Sequence, residues 1–238
     1  TVEAVRLPRS EGLCVSSQVG CAVGCTFCMT GTMGLVRQLG SAEIVAQVAL
    51  ARQQRAVNKV VFMGMGEPAH NLDNVMEAIE LLGQEGGIGH KNLVFSTVGE
   101  ARVFERLPQG TVKPARALSL HTTNDARRAQ LLPRAPHITV AELIEQGERY
   151  ARATGYPIQY QWTLLAGIND CVHIQRDLVQ KLVEIRVRPY YIYQCDLVEG
   201  AGHARGVVAG EEQALAGQGG QQHEKVCLVL ALPGLEPV

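Results

Sequence analysis

Short runs of β-branched and aromatic residues alternate along the chain with longer stretches in which apolar residues recur every three or four positions. LCVSS (13–17), KVVFM (59–63), NLVFS (92–96), RALSL (116–120), PIQYQWTLL (157–165) and RPYYIY (188–193) have the composition of strands. Between them AEIVAQVALARQQ after Ser41, NVMEAIELLG ending at Gly83, VAELIEQGERYARA and IQRDLVQKLVEI carry the helical period. Thr139 followed by Glu142 has the spacing of a capping box, which sets the start of the third of these helices. Strands alternating with helices predict an α/β fold on a parallel sheet, because parallel neighbours need a crossover and a helix is the usual one. Six such units predict a sheet that is open or curled into a partial (β/α)6 barrel.

In such a sheet ligands bind at the carboxyl ends of the strands, and the unusual residues of this chain fall there. A cysteine-rich loop (20–31) follows the first strand and GMGEP (64–68) the second. Ser96-Thr97 ends the third strand and Ser119-Leu120-His121 the fourth. Asn169-Asp170 follows the fifth, and Gln194-Cys195-Asp196 ends the sixth. Purely structural polar residues would scatter over both rims, so their gathering on one predicts an enzyme. The barrel is expected to span 1–198. Residues 199–222, rich in Gly, Ala and Gln without a sustained apolar period, read as a flexible segment, and 223–238 as a strand-like tail.

Composition narrows the partners. Hydrophobic residues make up 46% and charged residues 19%, and no apolar run approaches the ~20 residues of a membrane helix. TVEAVRLPRSEG has neither the basic start nor the apolar stretch of a secretory signal, so a cytoplasmic protein with no membrane partner is expected. A net charge of -1 excludes a strongly basic surface, so any RNA contact would rest on local clusters such as Arg127-Arg128 with Arg134.

Three of the seven cysteines, Cys21, Cys25 and Cys28, lie within eight positions. An odd count crowded into one loop argues for metal or catalytic use over a disulfide framework. A structural zinc site would need further ligands, for which Cys14 or His121 are candidates. A [4Fe-4S] cluster usually takes four thiolates, so three leave one iron open to another ligand. Spacing alone leaves both readings open.

C-x-x-x-C-x-x-C, with Phe27 before the third cysteine, resembles the signature of radical S-adenosylmethionine enzymes. The resemblance implies that Cys21, Cys25 and Cys28 hold the cluster, and that the amino and carboxylate groups of S-adenosylmethionine chelate the open iron. It implies reductive cleavage of that cofactor to methionine and a 5'-deoxyadenosyl radical, with a reducing partner such as flavodoxin or ferredoxin. LCVSSQVGC, RQLGSAEIVAQV, VVFMGMGEPAHNLDNV, GIGHKNLVFSTVG and LSLHTTND are similar to the RNA adenine carbon-2 methyltransferases of 23S ribosomal RNA and some transfer RNAs. This likeness covers 1–170. It implies cofactor contacts at Phe27, Gly66, Glu67, Ser96, Ser119, Leu120 and His121, to which the strand-end position adds Gln194. It also makes Glu3 the match for a proton acceptor and Cys14 the match for a cysteine that resolves a covalent RNA intermediate.

From 171 to 203, CVHIQRDLVQKLVEIRVRPYYIYQCDLVEGAGH resembles lysine 2,3-aminomutase, and the end of the chain is faintly similar to that family's end. That alternative implies radical chemistry on a small amino acid, with Asp196 as the contact to the substrate amine. Neither parent pattern is complete. The aminomutases carry a pyridoxal-phosphate lysine after a glycine run, whereas Lys225 follows QQHE. The methyltransferases carry a small RNA-binding domain, expected ahead of Thr1, and a methyl-bearing cysteine near the C-terminus. Only Cys227 is available for that last role, and KVCLVL reads as a strand whose alternating residues pack inward. The expectation is a chain that cleaves the cofactor better than it methylates RNA.

Overall fold

The computed structural model describes residues 2–7, 11–163, 165, 188–195 and 225–231, together with Arg176 and Gln180. Five strands form the parallel body of the sheet: β2 (Gly12–Cys14), β5 (Lys59–Phe62), β6 (Leu93–Thr97), β7 (Ala115–Ser119) and β8 (Ile158–Thr163). Each pairs in parallel with the next, in register at Cys14 with Val61, Val61 with Val94, Ser96 with Ala117, and Ser119 with Gln161. β1 (Val5–Arg6) adds an antiparallel edge beside β2. Helices α2 (Ser41–Arg52), α3 (Leu72–Gln84), α4 (Ala101–Arg106), α5 (Asp125–Leu131) and α6 (Val140–Thr154) supply the connections. The helix expected over 174–185 falls, apart from Arg176 and Gln180, outside the described residues, as do Asn169, Asp170, Asp196 and 199–222.

Two departures from the expected order matter for the site. β9 (Arg188–Cys195) is the sixth expected strand, but β10 (Lys225–Ala231) stands between it and β8, antiparallel to both. The apolar run of the tail marks a strand, yet periodicity says nothing about which edge a strand will take. Second, the cysteine-rich stretch does not lead straight from a sheet strand into a helix. It connects a separate antiparallel hairpin of β3 (Gln18–Gly20) and β4 (Leu35–Gln38) and contains the short α1 (Met29–Thr32). Gly20, at φ 78°, makes the close approach of this hairpin feasible, since a Cβ there would lie 1.9 Å from the Gly34 carbonyl oxygen.

Strand alternation separates two apolar faces. Val60, Phe62, Leu93, Phe95, Leu118, Ile158, Tyr160 and Trp162 pack outward with Ile44, Val48, Val75, Ile79, Leu143 and Tyr150 of the helices into the main core. The intervening residues Cys14, Val61, Val94, Ala115 and Ala117 form a smaller cluster on the opposite face. Both faces are therefore covered, as a parallel sheet requires. Two residues further along the same inner face come Met63, Ser96 and Ser119, with Gln161 and Thr163 on β8, so the apolar inner layer gives way to a polar one at the carboxyl ends.

α6 is set by local rules. Thr139 Oγ1 accepts from the Glu142 amide at 3.2 Å, and the Glu142 carboxylate accepts from the Thr139 amide at 2.9 Å. Gly155, at φ 78°, closes the other end in the left-handed conformation. Thr139→Ala is expected to lower unfolding stability by about 1 kcal/mol, with Thr139→Ser nearly neutral. Urea denaturation of the three proteins checks it; equal midpoints for Ala and Thr would show that the cap contributes nothing.

Candidate functional site

The three thiols are brought to the strand ends by a loop with its own small core. Cys21 and Val23 are buried against Val98, Leu131, Leu132 and Leu165, with Cys25 and Phe27 packed at the edge. Backbone bonds fix the path: the Thr26 amide donates to the Leu131 carbonyl at 3.0 Å and the Cys28 amide to the Cys25 carbonyl at 3.0 Å. Arg134 donates through Nη1 to the Ala22 carbonyl at 3.1 Å. The result is one cavity of about 250 Å³ with Cys21, Cys25 and Cys28 on one wall and Gly66, Glu67, Ser96, Ser119, His121, Gln161 and Thr163 on the other. Loss of hydration on burial pushes the Cys21 thiol up, and pushes Cys25 up to about 12, with its neighbours Cys28 and Cys21 adding to the effect. Loading a metal here must displace these protons, since the thiolate is the ligand. Among the described residues no three His, Cys, Asp or Glu side chains converge on a single-ion position. A tetrahedral zinc ion needs such convergence, whereas an iron–sulfur cube takes one thiolate at each of several irons. Three thiols around one cavity with polar strand ends opposite fit a cluster and a polar cofactor better than one ion.

Glu67 is the most constrained of the polar residues. Gly66 before it has φ 104°, and a Cβ there would lie 2.6 Å from the Gln18 side chain, so only glycine fits. The Glu67 amide donates to Gln18 Oε1 at 2.8 Å. Its buried carboxylate accepts from the Ala69 amide at 3.0 Å and the Val98 amide at 2.9 Å. Burial still raises its pKa above the usual carboxylate range, with bonds from Thr97, Val98 and Ala69 opposing the shift. With three of its four lone-pair sites engaged in this way, one is left for a ligand donor.

A second cluster centres on Gln161. Its Oε1 accepts from Ser96 Oγ at 2.9 Å and Ser119 Oγ at 3.2 Å, and its Nε2 donates to Met63 Sδ at 3.2 Å. Gln161 was absent from the sequence-based candidates. Its signal lay in IQYQWT, where glutamines alternate with apolar residues and so face away from the main core.

His121 holds φ 60° and is the one non-glycine residue with positive φ among those described, a strained conformation kept by its surroundings. Its Nδ1 accepts from the Thr163 amide at 3.1 Å, and Phe27 meets its ring edge-on at 4.7 Å between centroids. Arg128, buried and missed as a site element, donates to the carbonyls of Val98 and Ser119. Burial, and then the Arg128 cation, hold the His121 pKa down to about 3.

The remaining predicted residues are placed differently. Leu120 sits in the main core and does not line the cavity, because its side chain follows the outward face; only its backbone meets the site, donating to the Gln161 carbonyl at 3.1 Å. Cys14 lies one layer beneath the polar floor, buried among Val61, Val94 and Ala117, with its thiol pushed up to about 11 by burial. Glu3 is exposed, and its carbonyl accepts from Ser16 Oγ. Gln194 lies in β9 opposite Val226. The arginine cluster expected to meet RNA is broken up: Arg128 is buried and engaged with carbonyls, leaving Arg127 and Arg134 exposed. Cys227 lies in a strand, as its apolar context led one to expect. β10 runs antiparallel to β8, which puts its first residues at the rim, and Cys227 stands opposite Thr163, a residue of the cavity wall.

Comparison with known proteins agrees with this geometry. The family model of the radical SAM superfamily matches residues 15–175. A probable RNA methyltransferase of Aromatoleum aromaticum is 71% identical over 209 residues, covering 86% of this chain and 57% of the relative. One from Methylibium petroleiphilum is 79% identical over 170 residues, covering 71% of this chain and 48% of the relative. The chain thus spans about half the length of the curated relatives it matches. A solved radical SAM methyltransferase from Sphaerobacter thermophilus superposes with a TM-score of 0.68 at 36% identity, over 76% of this chain and 56% of that one.

The depressed pKa of His121 gives a signed expectation. Unfolded histidine protonates near ~6.5, but in the fold His121 stays neutral to about 3. Its contribution to stability is therefore present above pH ~6.5 and is lost as pH falls from there toward 3. His121→Asn, which tolerates positive φ, should flatten the decline in urea midpoint between pH 7.5 and 5. A ring proton of His121 that titrates near ~6.5 by NMR would contradict the assignment.

Proposed function

Because the chain belongs to the radical SAM superfamily, we propose that Cys21, Cys25 and Cys28 hold a [4Fe-4S] cluster with S-adenosylmethionine on its open iron. We further propose that the chain is the catalytic portion of an RNA adenine carbon-2 methyltransferase. The observation that carries this reading is the single cavity shared by the three thiols and the polar strand ends. Held by Cys21, Cys25 and Cys28, a reduced cluster would supply the electron for reductive cleavage of S-adenosylmethionine.

The chain's own residues bind and orient the cofactor. Glu67, anchored by two amides and the Thr97 hydroxyl, offers its remaining lone pair to the cofactor's amino group. Ser96, Ser119 and Gln161 form a preset polar patch whose geometry is already satisfied internally, so it need not rearrange to receive polar groups of the cofactor. His121 remains neutral across the physiological range and adds no charge beside the thiols. Phe27, edge-on to His121, closes the wall behind the third cysteine. Cys21, Glu67, Ser96 and His121 in this lining are buried, whereas Cys25, Cys28, Ser119 and Gln161 are half-buried and open toward the rim.

RNA as substrate is supported by the similarity to probable RNA methyltransferases, with Arg127 and Arg134 as exposed cations. Flavodoxin or ferredoxin is the proposed class of electron donor. Glu3 as proton acceptor and Cys14 as resolving thiol belong to the same proposal. For Cys14 the fold sets a condition: its thiol lies under the floor and is held protonated by burial, so the layer above must open before it can react. The aminomutase-like reading rests on 171–203, of which only one strand and two further residues are described. Among the described residues no helix is long and apolar enough to cross a membrane.

Anaerobic reconstitution should give a brown protein with about four irons per chain that forms 5'-deoxyadenosine on reduction. Cys25→Ala should lose both, while Glu67→Ala should keep the iron and bind the cofactor at least ~10-fold more weakly. A Cys25→Ala protein that retained iron and turnover would refute the ligand assignment.

Methyl transfer is expected to lag behind cofactor cleavage, since Cys227 stands in the apolar run KVCLVL, where burial would disfavour its thiolate. With methyl-labelled cofactor and an RNA hairpin, 5'-deoxyadenosine should exceed labelled adenine. Near-stoichiometric labelling that disappears in Cys227→Ala would overturn this and assign the methyl-bearing role to the residue opposite Thr163.

A further inference from the structure

β6 and β7 pair in register as far as Thr97 with Leu118. The next two residues in line, Val98 and Ser119, both line the cavity. A parallel ladder fixes the spacing of two strands only as far as its hydrogen bonds run. Arg128, on α5, continues it from outside the sheet. Its Nη2 donates to the Val98 carbonyl and, at 3.2 Å, to the Ser119 carbonyl. An Nη nitrogen carries two hydrogens, one for each acceptor. The side chain thus staples β6 to β7 just past the end of their ladder. The other flanks are held by different means. Ser119 stands in register with Gln161 of β8, whose carbonyl accepts from the amides of Leu120 and His121. From the β5 side the Glu67 carboxylate accepts from the Val98 amide at 2.9 Å. Val98 is therefore fixed through its amide by Glu67 and through its carbonyl by Arg128.

Packing alone does not call for a cation at this position. Arg128 and Leu131 are the buried residues of α5 and share one helix face, and Leu131 meets the needs of that face with an apolar side chain. A buried guanidinium carries a desolvation cost that only well-placed acceptors offset. Here both acceptors belong to residues of the cavity wall, while Arg128 itself stands behind that wall. Any effect it has on a ligand passes through the two strand ends. The turn it grips has little other freedom: the Gly99 amide donates to Thr97 Oγ1 at 3.0 Å, and Gly99, at φ 104°, lies so close to Leu143 that a Cβ would come within 2.2 Å of it. We propose that Arg128 is a positioning residue for cofactor binding, holding the ends of β6 and β7 at the spacing that aims the Glu67 carboxylate and the Ser119 hydroxyl into the cavity. The proposal rests on S-adenosylmethionine being the occupant of that cavity, and it adds to that reading the group that sets the geometry from behind.

Two measurements on the anaerobically reconstituted protein test it, with Arg128→Met and Arg128→Lys as variants. The first is hydrogen exchange without the cofactor, comparing the turn 98–100 with strand residues 93–96 by mass spectrometry. Arg128→Met removes both donors at similar side-chain length, so exchange in the turn should rise roughly tenfold or more beyond any rise in the strand. A general loss of stability would raise both alike. The second is calorimetry with S-adenosylmethionine on the oxidised protein, which should show roughly tenfold weaker binding at unchanged iron content. Arg128→Lys keeps the charge without the planar fork; it should fall between Arg128→Met and the parent in both readouts, and it carries the test if Arg128→Met does not fold. Equal rises in turn and strand would reduce Arg128 to a general structural brace and overturn the proposal. So would a variant that binds the cofactor as tightly as a parent that binds it, an outcome that leaves the proposed function standing. A parent with its cluster that does not bind S-adenosylmethionine would refute the proposed function and the positioning role together.

Discussion

The buried carboxylate of Glu67 holds together segments that the chain keeps far apart. Its amide is fixed by Gln18 from the hairpin, and its oxygens are fixed by the amides of Ala69 and Val98. The carbonyl of Val98 in turn accepts from Arg128, which also binds the carbonyl of Ser119. One polar relay therefore joins the hairpin to the carboxyl ends of β5, β6 and β7. A charged group without partners in this position would cost several kcal/mol, so the relay is favourable only when all its members are in place. That requirement brings the strand-end loops to one geometry and makes the cavity a consequence of the fold.

The thiol loop depends on that frame without being part of it. It rests on a satellite core of Val23, Val98, Leu131 and Leu132, and Val98 belongs to both the satellite core and the relay. A shift in the β6 end would therefore move the thiols and the carboxylate together. Glycine permits the connection at Gly20, where any side chain would strike the Gly34 carbonyl. The loop's hydrogen bonds to Leu131 and Arg134 fasten it to α5 and the turn after it. Support of this kind holds the three thiols in one arrangement at the edge of the cavity.

The arginines show how burial decides what a charged residue does. Arg127, Arg128 and Arg134 are close in sequence and look like a basic patch. The helical turn of α5 leaves Arg127 exposed and carries Arg128 inward to bind carbonyls, so the same residue type serves as surface charge at one position and as internal brace at the next. Arg116 takes a third course, covered on its faces by aromatic rings and unmatched at its edge.

Much of the architecture was legible because it is local. Alternation and the 3.6-residue period marked the five parallel strands and α2, α3 and α6, and Thr139 with Glu142 marked a helix start that the hydrogen bonds reproduce. The three cysteines and GMGEP were legible as motifs through their resemblance to a known family, while spacing alone left more than one metal reading open. Other features depended on neighbours distant in sequence. The hairpin around the thiol loop, the insertion of β10 between β8 and β9, and the bonds of Gln161 to Ser96 and Ser119 each join residues tens of positions apart. Burial of Cys14 and Leu120 away from the cavity was likewise decided by which face of the sheet each position takes. A sequence fixes the period of a strand through its own backbone sterics, but its register, its edge partner and the acceptor that meets each buried donor are set only when the whole sheet has closed its hydrogen bonds.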